Sequence, residues 1–164
     1  AESLKKAFPE SFDWYGRGVM ELKNKWDGVA PYRYHLVAEN GRWPHYWTEK
    51  LVDAYLGWCL PIYSGDPMIT KYFPKDSLIE VNPDKPKEAV AIIEEAITND
   101  RWATSLQAIA EARKLILQKY HFYETWLEIL LKEKASKPMN ITLNPHNNFE
   151  FTTFEKVVLK WFNR

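Results

Sequence analysis

Between Glu39 and Lys50 the chain gathers seven side chains able to bind or carry charge: Glu39, Asn40, Arg42, His45, Tyr46, Glu49 and Lys50. Thr48 has the residue type of a helix N-cap, ahead of Leu51, Val52, Tyr55, Leu56 and Trp58 at helical spacing, with Gly57 as the stop. Lys50, two residues past that cap, sets an ammonium beside free backbone N–H groups and the positive end of a helix dipole. A cation added where anions are already favoured makes sense for a phosphate. Lys50 also reads as a solvated lysine. Glu49 reads as a plain helix-start carboxylate or, beside a phosphate, as an acceptor of hydrogen bonds from sugar hydroxyls. Tyr46 either stacks on a base or closes its loop against the core.

These residues need a strand before them and a helix after them, and the surrounding pattern supplies both. The run from Tyr32 to Glu39 reads as a strand and Gly41 to Trp47 as a loop. The run Cys59 to Tyr63 is a second apolar strand, closed by Ser64-Gly65-Asp66-Pro67. Ser11 to Tyr15, ended by the Gly16-Arg17-Gly18 turn, and Ser77 to Val81 are expected as two more strands. Helices are expected over Ala1 to Phe8, over Ala89 to Ile97 behind Pro86, and from a cap at Asn99 or Asp100 through Ile116. A further helix is expected over Tyr120 to Lys132. The stripes Trp102, Leu106, Ile109, Ala112, Ile116 and Tyr123, Trp126, Ile129, Leu130 read as core. Polar residues 138–148 read as a connection before a last amphipathic helix, Thr153 to Phe162. Strands alternating with helices argue for an α/β fold with a mainly parallel sheet. Ligands of such sheets lie at the carboxyl ends of strands, which selects three loops: Gly16 to Gly18, Glu39 to Thr48, and Ser64 to Pro67.

Composition narrows the chemistry. In 164 residues, 22 Lys and Arg balance 22 Asp and Glu, which excludes a strongly basic nucleic-acid binder acting by bulk charge. Neither a dinucleotide fingerprint nor a P-loop, Asp-x-Asp or hydrolase elbow occurs, and His35, His45, His121 and His146 lack metal-ligand spacing. No metal is expected. The single cysteine, Cys59, lies in an apolar run and is expected to be a small buried side chain and not a nucleophile. No apolar run reaches the ~18 residues of a membrane span.

The string Tyr32-Arg33-Tyr34-His35-Leu36-Val37-Ala38-Glu39-Asn40, followed after seven residues by Thr48-Glu49-Lys50 within Tyr46-Trp47-Thr48-Glu49-Lys50, resembles the donor-site motif of the α1,3/α1,4-fucosyltransferases, glycosyltransferase family 10. Pro61-Ile62-Tyr63-Ser64-Gly65 and Tyr72-Phe73-Pro74 to Ser77-Leu78-Ile79 are similar to further motifs of that family, in the same order. The likeness runs from about Phe12 to about Leu131. It implies a Rossmann-like parallel sheet with flanking helices, the carboxyl-terminal half of a GT-B glycosyltransferase. The implied reaction transfers L-fucose from GDP-fucose to an N-acetylglucosamine-containing glycan, with inversion and without a metal or other cofactor. Carried over residue by residue, Lys50 would face the diphosphate, Glu49 the sugar hydroxyls, and Asn40 and Tyr46 the nucleotide. Glu39, Arg17 and Gly65 are further donor-side candidates.

On this reading residues 1–138 form the nucleotide-sugar domain and residues 139–164 a connecting segment with its terminal helix. The catalytic base is a carboxylate of an amino-terminal acceptor domain outside this chain, so no catalytic residue is assigned within it. A donor-binding fragment, inactive alone and prone to self-association through surface meant for that domain, is the expectation. Its oligosaccharide acceptor would be met through the other domain, nucleic acid is no partner, and a bacterial-type cytoplasmic or membrane-peripheral location is expected. Two other readings stand beside it: a transferase of the same architecture using GDP-mannose or a UDP-sugar, and a non-catalytic glycan- or partner-binding domain. Against the second stands the Glu49-Lys50 pair with Asn40 and Tyr46 at family spacing.

Overall fold

The computed structural model describes residues 2–16 and 18–132. In chain order the elements are α1 (Glu2–Ala7), β1 (Tyr34–Ala38), α2 (Glu49–Leu56), β2 (Leu60–Ser64), β3 (Ile79–Glu80), α3 (Pro86–Thr98), α4 (Arg101–Gln118) and α5 (Phe122–Lys132). Short 3-10 turns lie at Lys25–Gly28, Ile69–Lys71 and Lys75–Ser77. The chain divides into two units, Ala1–Ile129 and Leu130–Arg164, and the sheet with all its flanking helices belongs to the first.

The sheet runs β1-β2-β3 and is parallel throughout. Tyr34 stands opposite Leu60 and Ala38 opposite Ser64, while Ile62 and Tyr63 stand opposite Ile79 and Glu80. All five residues of β2 are buried, as befits an apolar central strand covered on both faces. One face packs on α2 and α4 through Val37, Leu51, Tyr55, Tyr63, Ile109 and Ala112. The other packs on α1 and α3 through Leu4, Ile62 and Ile93, with Leu36 and Phe12 against them. Adjacent Leu36 and Val37 thus serve opposite faces, as a strand requires.

Helix ends follow local chemistry with one long-range exception. Thr48 caps α2 by accepting the Lys50 N–H at 3.4 Å, and Pro86 opens α3. α4 begins at Asp100 in a left-handed conformation (φ 43°) with no side-chain cap. Its orphan Trp102 N–H instead donates to the Tyr34 hydroxyl at 3.2 Å, which donates onward to the Ala96 carbonyl in the last turn of α3 at 2.9 Å. One tyrosine of β1 therefore satisfies a free group on each of two helices.

Three expectations are corrected. Ser11 to Tyr15 is not a strand: it lies beside no ladder, and its side chains bond elsewhere, Tyr15 to the Tyr32 hydroxyl at 2.5 Å and Asp13 accepting from Tyr32 at 2.7 Å. The described sheet accordingly has three strands and not four. α2 does stop at Leu56 with Gly57 as its C-cap, as expected, and the left-handed residue that follows is Trp58 (φ 61°). Ile109, Ala112 and Ile116 are buried as the periodicity of α4 demands, whereas Tyr123, Trp126, Ile129 and Leu130 of α5 stay largely exposed. Helical spacing creates a face, but only an element opposite can bury it. The connection at 138–148, the helix at 153–162 and Arg17 lie outside the described residues. Among the described residues no helix is long and apolar enough to cross a membrane.

Candidate functional site

The carboxyl ends of β1 and β2 hold the residues singled out by their spacing. Glu39 follows β1 directly, and its backbone N–H donates to the Ser64 carbonyl at 2.9 Å, which extends the parallel ladder one step beyond the strands. Asn40 is exposed just past it. The chain then turns through Gly41, over which the Trp43 ring lies so closely that any Cβ there would collide with it. Tyr46, half-buried, meets Trp43 edge to face with centroids 5.4 Å apart. His45 takes a left-handed conformation (φ 65°) and places Nδ1 2.6 Å from the Tyr72 hydroxyl. Trp47 then anchors the loop, packing on Tyr72, Phe73 and Tyr120.

At the start of α2 stands the charged cluster. Lys50 Nζ lies 3.5 Å from Glu39 Oε2, 3.9 Å from Glu49 Oε1 and 3.4 Å from Thr48 Oγ1, with its side chain 34% exposed. Glu49 is exposed, and hydrogen bonding to its own backbone N–H, followed by the charge of Lys50 beside it, holds its carboxyl below the usual range. It therefore stays ionised and serves as an acceptor only. Glu39 differs sharply: its side chain has no exposed surface, and both oxygens are taken, Oε1 by the Thr48 N–H at 2.9 Å and Oε2 by the Thr48 hydroxyl at 2.7 Å.

The β2 end contributes Gly65 and Asp66. Gly65 packs so closely on Tyr63 and Glu39 that its lack of a side chain is a steric requirement. Asp66, buried, accepts the Met68 N–H at 2.7 Å through Oδ1, while Oδ2 has no hydrogen-bond partner. The Tyr63 hydroxyl accepts the Asp66 N–H at 2.9 Å, and burial pushes that phenol up to about 12. At the β3 end, Arg42 donates to Asn82 at 3.2 Å and pairs with Asp84 at 3.8 Å.

The fold thus brings Glu39, Thr48, Glu49 and Lys50 into one cluster, sets Asn40 and Tyr46 on its loop, and seats Gly65 against Glu39. The burial of Asp66, within one of the three selected loops, and the Arg42–Asn82 contact are not legible in the sequence; a lone Asp in a turn carries no local sign that its carboxylate will be buried. A cavity of about 450 Å³ lies elsewhere, lined by Leu4, Phe12, Tyr15, Leu36, Ile62 and Ile93 among others, and none of Glu39 to Lys50 borders it. Its apolar walls belong to the α1 and α3 face of the sheet. Among the described residues no group of three or more His, Cys, Asp or Glu is arranged to hold a metal ion. Chemically, the cluster offers an ammonium at a helix N-terminus for an anion, and an exposed carboxylate beside it for hydroxyl groups.

Comparison with known proteins assigns the family. The alpha-(1,3)-fucosyltransferase FucT of Helicobacter pylori is 38% identical over 64 residues, which are 39% of this chain and 13% of that enzyme. The chain therefore spans a small part of the curated relative it matches. Two crystal structures of α1,3-fucosyltransferase resemble it, one at 31% identity over 56% of this chain and 27% of the other, with a TM-score of 0.47. The second, solved with GDP-fucose, is 26% identical over 66% of this chain and 38% of its own, with a TM-score of 0.49. Residues 2–107 match the family described as "Glycosyltransferase family 10 (fucosyltransferase) C-term". That span takes in the whole sheet and the cluster at its carboxyl end, and the chain belongs to glycosyltransferase family 10.

Proposed function

We propose that the chain is the donor-binding part of a metal-independent fucosyltransferase, with GDP-fucose held at the carboxyl ends of β1 and β2. The observation that carries the reading is the Lys50 ammonium beside the first turn of α2, flanked by the ionised, exposed Glu49 in a family 10 chain. Lys50, at the positive end of the α2 dipole, binds the diphosphate, Glu49 accepts hydrogen bonds from fucose hydroxyls, and Asn40 and Tyr46 orient the nucleotide. The chain corresponds on this reading to the carboxyl-terminal half of a GT-B enzyme.

The reaction is a direct displacement. An acceptor hydroxyl oxygen attacks the anomeric carbon of fucose on the face opposite GDP, and the bond from that carbon to the phosphate oxygen breaks. Its electron pair leaves with GDP, and the hydroxyl proton passes to a carboxylate of the acceptor domain. Lys50 and the α2 N-terminus stabilise the charge that builds on the departing diphosphate, the place where fixed cations lower such a barrier. Since the base is supplied by that other domain, the chain alone binds donor without transferring it.

Calorimetric titration of GDP, GDP-fucose and UDP tests this, with Lys50→Ala alongside. Both guanine ligands should bind and UDP should not, and the variant should bind more weakly by about tenfold or more, as removal of a charge-assisted contact of roughly 1.5 to 3 kcal/mol implies. Equal binding of UDP, or an unaffected variant, overturns the reading.

A further inference from the structure

We propose that Glu39 is the positioning residue of this site: its carboxylate sets where the Lys50 ammonium and the first turn of α2 stand, and so governs affinity for a diphosphate it never touches. The inference rests on the donor-site reading above.

The geometry separates Glu39 from a ligand contact. Its side chain is wholly buried while Asn40, the next residue, is exposed. A buried carboxylate is costly unless its lone pairs are used, and here they are. Oε1 accepts the Thr48 N–H, and Oε2 accepts the Thr48 hydroxyl and faces Lys50 Nζ at 3.5 Å. Thr48 Oγ1 in turn accepts from both the backbone N–H and the ammonium of Lys50, each at 3.4 Å. A plain N-cap would need Thr48 alone. The added carboxylate ties the cap to the one lysine that the cap residue also holds.

Lys50 depends on this tie. A lysine is a point charge on a four-carbon stem with several rotatable bonds, and its other carboxylate neighbour, Glu49, is exposed and 3.9 Å away, a pairing that contributes little. Glu39 itself does not wander, because its N–H is bonded to Ser64 across the ladder and Gly65 leaves just the room its methylene needs. The position of the ammonium is thereby handed from the sheet to the helix through one side chain.

The proposal makes a prediction of sign. If Glu39 acted on the donor only as a nearby negative charge, its neutralisation would strengthen GDP binding. As a positioning residue its neutralisation weakens binding. Four variants, E39Q, E39D, K50A and E39Q/K50A, are titrated with GDP and with guanosine, and each is checked for folding by thermal unfolding. E39Q and E39D should each weaken GDP about five- to tenfold, guanosine should be unchanged, and E39Q should add less than about twofold in the K50A background. Tighter or unchanged GDP binding in E39Q, an equal loss for guanosine, or a full additional loss on top of K50A overturns it. A chain that binds no GDP, or whose K50A variant binds GDP normally, overturns the donor-site reading instead. A second readout covers that case. In spectra of the chain carrying 13C-labelled lysine, the Lys50 Cε resonance should stand apart from those of solvated lysines and join them in E39Q. A Lys50 resonance already among the solvated ones overturns the positioning role whether or not GDP binds.

Discussion

Gly65 and Glu39 meet with no room for a methyl group between them: a Cβ at position 65 would stand 2.6 Å from Glu39 Cγ and would also strike the Tyr63 hydroxyl. The glycine at the end of β2 is thus part of the apparatus at the end of β1. Gly65→Ala should destabilise the chain by about 1 to 3 kcal/mol, the cost of overpacking a filled site. Urea unfolding gives the measurement, and a variant as stable as the parent would mean that Glu39 has space to move.

The cations of the site are a lysine and a helix N-terminus, and the described residues offer no three-ligand cluster for a metal. On the metal-independent reading proposed above, exhaustive chelation should leave GDP affinity within about twofold of its starting value. A loss of tenfold or more, restored by added Mg2+ or Mn2+, would place a metal beside the diphosphate and set aside the metal-free reading.

Tyr34 links three elements through a single hydroxyl, between the Ala96 carbonyl and the Trp102 N–H. Tyr34→Phe keeps the ring and removes the link, leaving an orphan group at each of two helix ends. The expected loss is about 1 to 3 kcal/mol, with the sheet intact by circular dichroism. Hydrogen exchange at the start of α4 should speed up more than exchange in β2, and uniform acceleration would contradict this account.

Burial pushes the Cys59 thiol up to about 12 from an ordinary 9.0, and its Sγ–H donates to the Tyr32 carbonyl at 3.1 Å. The folded chain keeps this proton while the unfolded chain loses it above pH 9, so the unfolded state binds fewer protons and stability falls as pH rises from about 9 towards 12. The slope from this group is at most about 1.4 kcal/mol per pH unit, and Tyr63, likewise pushed up to about 12, adds to it at the upper end. Urea midpoints measured from pH 8 to 11 should fall, and Cys59→Ala should flatten the fall. A parallel curve for the variant would show that the thiol is not the group responsible.

Much of this architecture is legible in residue order because its signals are local. Thr48 ahead of a helical stripe marks the start of α2, Pro86 marks α3, and the unbroken apolar run at Leu60 to Tyr63 marks a strand covered on both faces. The spacing from Glu39 to Lys50 also reads as a strand-to-helix junction, which is where these residues stand, because a strand end and an N-cap are each written within a few residues.

What local spacing does not encode is which groups meet across the fold. Aromatic density at Ser11 to Tyr15 resembles a strand, yet strands exist only where a partner ladder is offered, and there Tyr15 and Asp13 bond to Tyr32. The burial of Asp66 and the bridge made by Tyr34 to positions 62 and 68 residues away are likewise decided by packing. Order along the chain determined the family, the parallel sheet and the identity of the charged cluster. Only the tertiary structure decided that Glu39, one of the most conspicuous carboxylates of that cluster, is enclosed. Its two oxygens find partners nine and eleven residues away once β1, β2 and α2 close around it, and in water no local preference would hold them there.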